Sequence, residues 1–353
     1  MALTRKHWTA RLTALCCTFG LVLAVPPSHD ATAAPEGAAA DTIIAPKPVP
    51  AARASMQNGA ERRKAAINAV GSWGYQLAGL DVSRAAASPY DLLVVDGTTG
   101  VGDGEPMSTT DVSRLQRKTD GKRRLVVSYL SIGEAEDYRP DYFDKEYLAE
   151  EAPDWLMSEN PQWKGNRIIR FCEEGWQRTI LGDERGRNLY NSIEPSPLYR
   201  LIELGLDGVY LDRVDVYSEV AKQCPDARRR MVAFVKRLAE HARKRNPDFI
   251  VILQNAEELL TEPDMLASID AIAKEDLFYG VDHSEKANDA GMVRESIAYL
   301  RRARSAGRPV FFVDYVNARA KSAEAARRGR AEGFIPYFAP RALDKLWLPG
   351  ADF

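Results

Sequence analysis

Asp207-Gly-Val-Tyr-Leu-Asp-Arg-Val-Asp215 sets a short apolar strand directly against a carboxylate, and the recurrence of that pattern decides the fold. An apolar run without alternation suits a parallel strand buried on both faces. A charged group closing such a run must face a pocket or be paired in the core. Working outward, similar runs occur at 73–77, 92–96, 124–130, 167–171, 208–212, 249–254, 271–274 and 310–314, with a ninth at 333–338. Amphipathic stretches separate them: 110–119, 226–245 (Met231, Phe234, Val235 and Leu238 three and four apart) and 293–306, which stops at Gly307 before Pro309. Strand then helix, repeated, means an α/β fold with parallel strands. An open doubly wound sheet would show the same alternation. The acids and amides separate the two: Asp96, Glu134, Asp212, Asn255 and Glu257, Glu275 and Asp314 close one strand after another. In a (β/α)8 TIM-type barrel those ends converge on one face, whereas in an open sheet they merely line an edge. The expectation is a single-domain barrel with one strand to spare.

The chain has 353 residues, and not all of them suit that barrel. Arg5, Lys6 and Arg11 precede an apolar run at 12–25 that is followed by Pro26-Pro27, with Ala31, Ala33 and Ala34 beyond. This reads as a signal peptide over 1–34, too short in its apolar part to span a bilayer comfortably. Residues 35–68, rich in Ala and Pro, read as a disordered leader. Residues 69–353 suit one large barrel better than two small domains. Losing three basic residues and Asp30 with the signal takes the net charge from −2 to −4, which leaves no basic footprint for nucleic acid. The expected product is a secreted or periplasmic monomer with no membrane contact once the signal is removed. Cys16 and Cys17 leave with the signal, so Cys172 and Cys224 remain as a disulfide or as two thiols.

Elimination narrows the chemistry. His7 and His29 lie in the signal region, leaving His241, in a helix rich in Lys and Arg, and His283; with the two cysteines they make no recognised zinc spacing. No G-x-S-x-G elbow is present. Gly97-Thr-Thr-Gly-Val-Gly-Asp-Gly104 misses the dinucleotide spacing and reads as a rim loop. Neither a cofactor nor a metal is expected. Carboxylates remain, and glycoside hydrolysis needs two across a narrow gap. Asp212 and Glu275 are the expected pair, with Lys274 alternating away from Glu275. Asp215 reads as a helper or a partner of Arg213. Glu134 would orient substrate or pair with Arg139, and Asp96 would hold a sugar amine or a lysine. Asn255, with Glu257 on the same loop, could hold a sugar hydroxyl. Tyr75, Tyr129 and Tyr210 are expected against substrate. Trp155, Trp163, Trp176 and Tyr138 add flat faces on which sugars stack.

Tyr75-Gln-Leu77, Tyr90-Asp-Leu-Leu-Val-Val-Asp96, Tyr129-Leu-Ser-Ile-Gly-Glu-Ala-Glu-Asp-Tyr-Arg139, Asp207-Gly-Val-Tyr-Leu-Asp-Arg-Val-Asp215 and Gln254-Asn-Ala256 together resemble glycoside hydrolase family 114, the endo-α-1,4-polygalactosaminidases and their bacterial relatives. The resemblance runs over nearly all of the chain beyond the leader. It implies a (β/α)8 barrel acting on α-1,4-linked galactosamine polymers. It also implies Asp212 as nucleophile or base and Glu275 as acid. One departure is visible: relatives carry Tyr-Trp-Asp where this chain has Phe171-Cys-Glu173. A cleft holding Asp96, Glu134, Asp212, Glu257 and Glu275 would attract a cationic polymer and raise the pKa of one acid. Two other readings stay open: a non-catalytic glycan-binding or matrix protein on the same barrel, and a hydrolase of another amino-sugar polymer.

Overall fold

A computed structural model describes residues 50–97, 106–137, 139, 152–188, 195–282 and 285–348. The signal peptide, the leader up to residue 49, the loop at 98–104, Tyr138 and His283 lie outside the described residues. Among the described residues no helix is long and apolar enough to cross a membrane.

Eleven strands are described in chain order: β1 (Trp73–Tyr75), β2 (Leu92–Val95), β3 (Leu125–Ser131), β4 (Glu134–Glu136), β5 (Leu156–Glu159), β6 (Asn166–Ile169), β7 (Gly208–Asp212), β8 (Ile250–Gln254), β9 (Ala271–Glu275), β10 (Val310–Asp314) and β11 (Ile335–Phe338). Eight of them form one parallel sheet in the order β1-β2-β3-β7-β8-β9-β10-β11. Helices separate successive strands, among them Ala227–Arg245, Ala290–Ser305 and Arg319–Ala331. The sheet curls into a nearly closed barrel. Across the seam the Trp73 indole donates to the Ile335 carbonyl at 3.0 Å and the Tyr337 hydroxyl to the Tyr75 carbonyl at 3.3 Å. Trp73 packs on Phe311 and Tyr337, each with ring centroids 5.5 Å apart, so large aromatics help fill the barrel as an interior of this kind requires.

The strand beyond the eight is the fourth expected one. Residues 166–169 do not join the barrel: β6 lies between β4 and β5 in a separate antiparallel sheet, β4-β6-β5. Its Asn166, Arg167 and Ile168 are half-buried, unlike the fully buried β3. The run at 333–338 is the eighth barrel strand.

The disordered leader needs correction over its second half. Pro50–Asn68 is a helix, and its Gly59, Arg63 and Ile67, four apart, form a buried stripe. A Cβ at Gly59 would lie 2.5 Å from the Pro247 carbonyl, so only glycine permits this approach. Arg63 donates to Asp270 at 3.1 Å and to the Pro247 carbonyl. Pro247 precedes β8 and Asp270 precedes β9, so the helix lies against the N-terminal end of the barrel. A stripe one residue wide that contains Gly and Arg carries no hydrophobic period, so composition alone read it as unstructured.

Cys172 and Cys224 are joined in a disulfide with Cα atoms 6.0 Å apart. It ties the chain after β6 to the segment ahead of helix Ala227–Arg245, on the side of the barrel where the strands end.

Candidate active site

Three neighbouring strands leave the barrel mouth in the same strained way. Arg213 follows Asp212 at φ 57°, Asn255 follows Gln254 at φ 52°, and Asp276 follows Glu275 at φ 52°. Left-handed backbone at three non-glycine residues, each just past a strand end, is the kind of local cost that functional sites retain. The sharp turns leave Asp212 and Glu275 as the last residues of β7 and β9, with Gln254 of β8 between them. Both acids are only half-buried, and so remain reachable from the mouth.

Each acid is held by a phenol. The Tyr129 hydroxyl donates to Asp212 Oδ2 at 2.8 Å, and the Tyr315 hydroxyl donates to Glu275 Oε1. Tyr75 and Tyr210 lie beneath them with ring centroids 5.1 Å apart. The buried Tyr210 hydroxyl has no hydrogen-bond partner among the described residues and is close enough to feel both carboxylates. A buried polar atom without a partner beside two acids is a local cost of the kind retained near reacting groups.

Burial pushes the pKa of Asp212 up to about 8, the charges of Glu275 and Asp215 add to that, and the Tyr129 hydrogen bond opposes it. Glu275 is also raised, first by burial and then by Asp276, with the Tyr315 hydrogen bond working against the shift. The two raised acids titrate as a pair, and Asp212 is the member that keeps its proton near neutral pH. In the free protein Asp212 holds that proton firmly, although the resemblance casts it as nucleophile or base.

The other expected substrate contacts divide into two groups. Asp96 is buried under Arg139, whose two terminal nitrogens reach its carboxylate at 2.9 and 2.6 Å. Arg139 thus takes Asp96 and Glu136 rather than Glu134. Glu134 instead pairs with Arg213 at 2.8 Å and accepts from the Asn160 and Asn166 amides at 2.6 and 2.9 Å. Both acids shape the cleft wall with their charge already neutralised. Glu257 is a correction: its carboxylate accepts from Ser296 at 2.6 Å and lies 3.4 Å from Lys274, on the helix side of the strands. Asn255 spends its side-chain oxygen on the Glu275 backbone N–H at 3.0 Å, which makes it a positioning group for that acid. Asp215 lies 3.6 Å from Arg213, the partner expected for it. Asp314 turns outward and caps the Phe278 N–H at 3.1 Å.

Gly133 explains how the β3 end meets Asp212. A Cβ there would lie 2.0 Å from the Arg213 carbonyl, so the Ile-Gly-Glu turn can press against the strained residue only as glycine. Of the tryptophans, Trp155 and Trp176 are buried against each other at 4.9 Å, while Trp163 is 53% exposed on the β5–β6 turn. His241 packs against Tyr199 at 5.6 Å and belongs to the helix layer.

Three groups around Glu275 escaped the sequence reading: Tyr315, Gln254, whose side chain hydrogen-bonds the acid, and the Asp276–Arg341 pair, whose contacts are 2.7 and 2.8 Å. Tyr315 stands beside the more conspicuous Asp314, yet strand parity aims Tyr315 inward with Val313 and Asp314 outward.

Two carboxylates at the ends of β7 and β9, one strand apart in a (β/α)8 barrel, each raised in pKa and held by a hydroxyl, have the arrangement that glycoside hydrolysis requires. The chain belongs to glycoside hydrolase family GH114, whose family model matches residues 52–349, and it is a glycoside hydrolase. Uncharacterized proteins of Deinococcus radiodurans and Methanocaldococcus jannaschii are 38% and 32% identical to it. They match over 81% of this chain and 85% of the first relative, and over 78% and 79% for the second. Its fold is similar to the glycoside hydrolase domain of PelA from Pseudomonas aeruginosa, with a TM-score of 0.58, 18% identity, and coverage of 78% of this chain and 97% of that one. It is also similar to Aspergillus fumigatus Ega3 in complex with galactosamine, with a TM-score of 0.54, 16% identity, and coverage of 79% and 94%.

Proposed function

We propose that this glycoside hydrolase is exported and, as a monomer, cleaves an α-1,4-linked galactosamine-containing polysaccharide with Asp212 and Glu275. The observation that carries the reading is the pair itself: two acids at strand ends of the barrel mouth, each held by a tyrosine hydroxyl and each raised in pKa. Substrate binding passes the proton from Asp212 to Glu275; Glu275 then gives it to the leaving oxygen, and the ionised Asp212 serves as nucleophile or base. Asp212 holds its proton in the free protein, so the positive charge of a bound amino sugar, or of the transition state, is what favours its ionised form. A cationic substrate therefore suits this pair better than a neutral one. Ega3, of similar fold, was crystallised with galactosamine.

Tyr75, Tyr129 and Tyr210 are buried beneath the acids and support them from within the barrel rather than lying open to a sugar ring, whereas the exposed Trp163 offers a stacking face on the rim. Asp215 adds negative charge at the mouth, while Asp96 and Glu134 act through Arg139 and Arg213. Export is supported by the Cys172–Cys224 disulfide, because such bonds persist in oxidising compartments, and by the signal-like start of the chain.

Reducing-end release from galactosamine polymers, measured beside Asp212→Asn and Glu275→Gln, tests the reading. Turnover by the wild type that collapses in both variants is the expected result. Binding without turnover on acetylated and deacetylated polymer would move the chain to the glycan-binding class, and release from a different amino-sugar polymer would change the substrate.

A further inference from the structure

The two acids share more than a phenol each. Over the Tyr129 ring, at 5.4 Å from its centroid, lies the guanidinium of Arg139; over the Tyr315 ring, at 4.3 Å, lies that of Arg341. Both guanidinia are fixed from the far side by carboxylates, Arg139 by Asp96 and Glu136, and Arg341 by Asp276. The same sequence of groups thus occurs twice around the cleft, running from carboxylate to guanidinium to tyrosine ring to catalytic acid. The two arms come from different loops, one after β3 and one after β10 and β11, so no local sequence repeat produces the match.

The arrangement has a physical use. An arginine in direct contact with a carboxylate forms a short, charge-assisted pair and holds the acid ionised well below neutral pH. Neither Asp212 nor Glu275 could then carry a proton to a leaving group. With a phenol in between, the cation acts on the ring face, where it is attracted to the π-electrons and draws charge from the hydroxyl. The hydroxyl becomes a stronger donor and orients the acid, while the acid remains protonatable.

We propose that Arg139 and Arg341 are matched positioning residues, each strengthening the tyrosine hydroxyl that holds one carboxylate of the pair without touching that carboxylate itself. This rests on Asp212 and Glu275 being the reacting acids, and its test does not need turnover. Arg341 is the better side to probe, because its side chain is partly exposed and its ion pair can be neutralised as a unit. Arg341→Met combined with Asp276→Asn removes the cation over Tyr315 and leaves no unpaired carboxylate behind. The readout is the ¹³C NMR titration of the Glu275 carboxyl, assigned by its loss in Glu275→Gln.

Asp276 raises Glu275 and Arg341 lowers it directly through space, so the double change alone mixes these effects with the one carried by the ring, and the comparison that decides is made in two backgrounds. With Tyr315 present, removing the pair should shift the Glu275 titration differently from the same change made in Tyr315→Phe. The difference between the two shifts should be about half a pH unit, in the direction of a higher pKa when the ring is there to transmit the loss. Equal shifts in both backgrounds would overturn the proposal, because Arg341 and Asp276 would then act on Glu275 only through space. Arg139→Lys keeps the charge beside Asp96 and loses the planar stack, and it should raise the Asp212 titration only when Tyr129 is present; an equal effect in Tyr129→Phe would overturn that arm. Loss of reducing-end release in the wild type would sink the proposed function while leaving these titrations readable.

Discussion

The two ends of the barrel carry the same kind of acid and treat it in opposite ways. At the N-terminal end Asp270 is 2% exposed and fully answered. Arg63 and Arg243 reach it at 3.1 and 2.7 Å, and the Val251 N–H donates to it at 2.9 Å. At the C-terminal end Asp212 and Glu275 receive phenol hydroxyls and no direct cation contact, and each disfavours the other's charge. A compensated carboxylate ties the Pro50–Asn68 helix to the barrel. An uncompensated pair stores a proton for chemistry at the expense of stability.

The largest effect expected from breaking that contrast is at the top. Asp212→Asn and Glu275→Gln should each lower kcat by about 10³-fold or more, as removal of an acid or base that acts as a unit does. The same substitutions should raise the melting temperature. An unfolded Asp212 ionises near its ordinary value, whereas in the folded chain it keeps its proton up to about 8. Its favourable contribution is therefore full below about pH 4 and is lost as the pH climbs to about 8. The stability gain of Asp212→Asn over the wild type should grow through that window and level off above it, which melts at several pH values would check. A variant no more stable at pH 8 than at pH 4 would mean that the cleft solvates the acid after all.

The bottom should answer in reverse. Asp270→Ala leaves Arg63 and Arg243 buried without their partner and should cost about 3–5 kcal/mol of stability, measured by denaturant unfolding. The activity of the molecules that remain folded should be unchanged. A loss of activity without a loss of stability would show that the two ends are coupled through the barrel.

Between those extremes lies the disulfide. Replacing Cys172 and Cys224 with Ser releases a closure spanning 52 residues and should cost about 2–4 kcal/mol. The loss should be seen equally by adding reductant to the wild type, and that equality is the check.

This contrast also explains what the sequence could reveal. The strand-end placement of Asp212 and Glu275 was legible because a charge that ends a continuous apolar strand has few uses, and a barrel gathers such ends on one face. Asp96 and Glu134 gave the same signal and have a different role, since the arginines that neutralise them come from the loop after β3 and from the residue following Asp212. Charge pairing between distant loops leaves no periodic trace. Residues 166–169 looked like a barrel strand because a strand of a small side sheet and a barrel strand share β-branched composition, and only the partner strands distinguish them. The Pro50–Asn68 helix was hidden because its buried stripe is held by a close glycine contact and an arginine ion pair rather than by apolar residues.

The smallest expected effect is the sharpest test of how the top of the barrel is tuned. Tyr315→Phe removes one hydroxyl and little volume, so the fold should persist, and kcat should fall by about tenfold as a lost positioning hydrogen bond predicts. The pH profile matters more than the rate. Turnover needs one acid protonated and one ionised, so kcat/KM falls on the acid side as the pair takes up a second proton and on the basic side as it loses the first. The Tyr315 hydroxyl lowers the pKa of Glu275, which otherwise lies above its ordinary value. Without that donor the second proton binds more readily, and the acid limb must move to higher pH while the basic limb, governed by Asp212 near 8, stays nearly in place. The window of activity therefore narrows from the acid side alone. Tyr129→Phe acts on the other member of the pair and should move the basic limb upward instead. If both variants moved the same limb, the two phenols would not be serving separate acids, and the division of the cleft into two arms would fail.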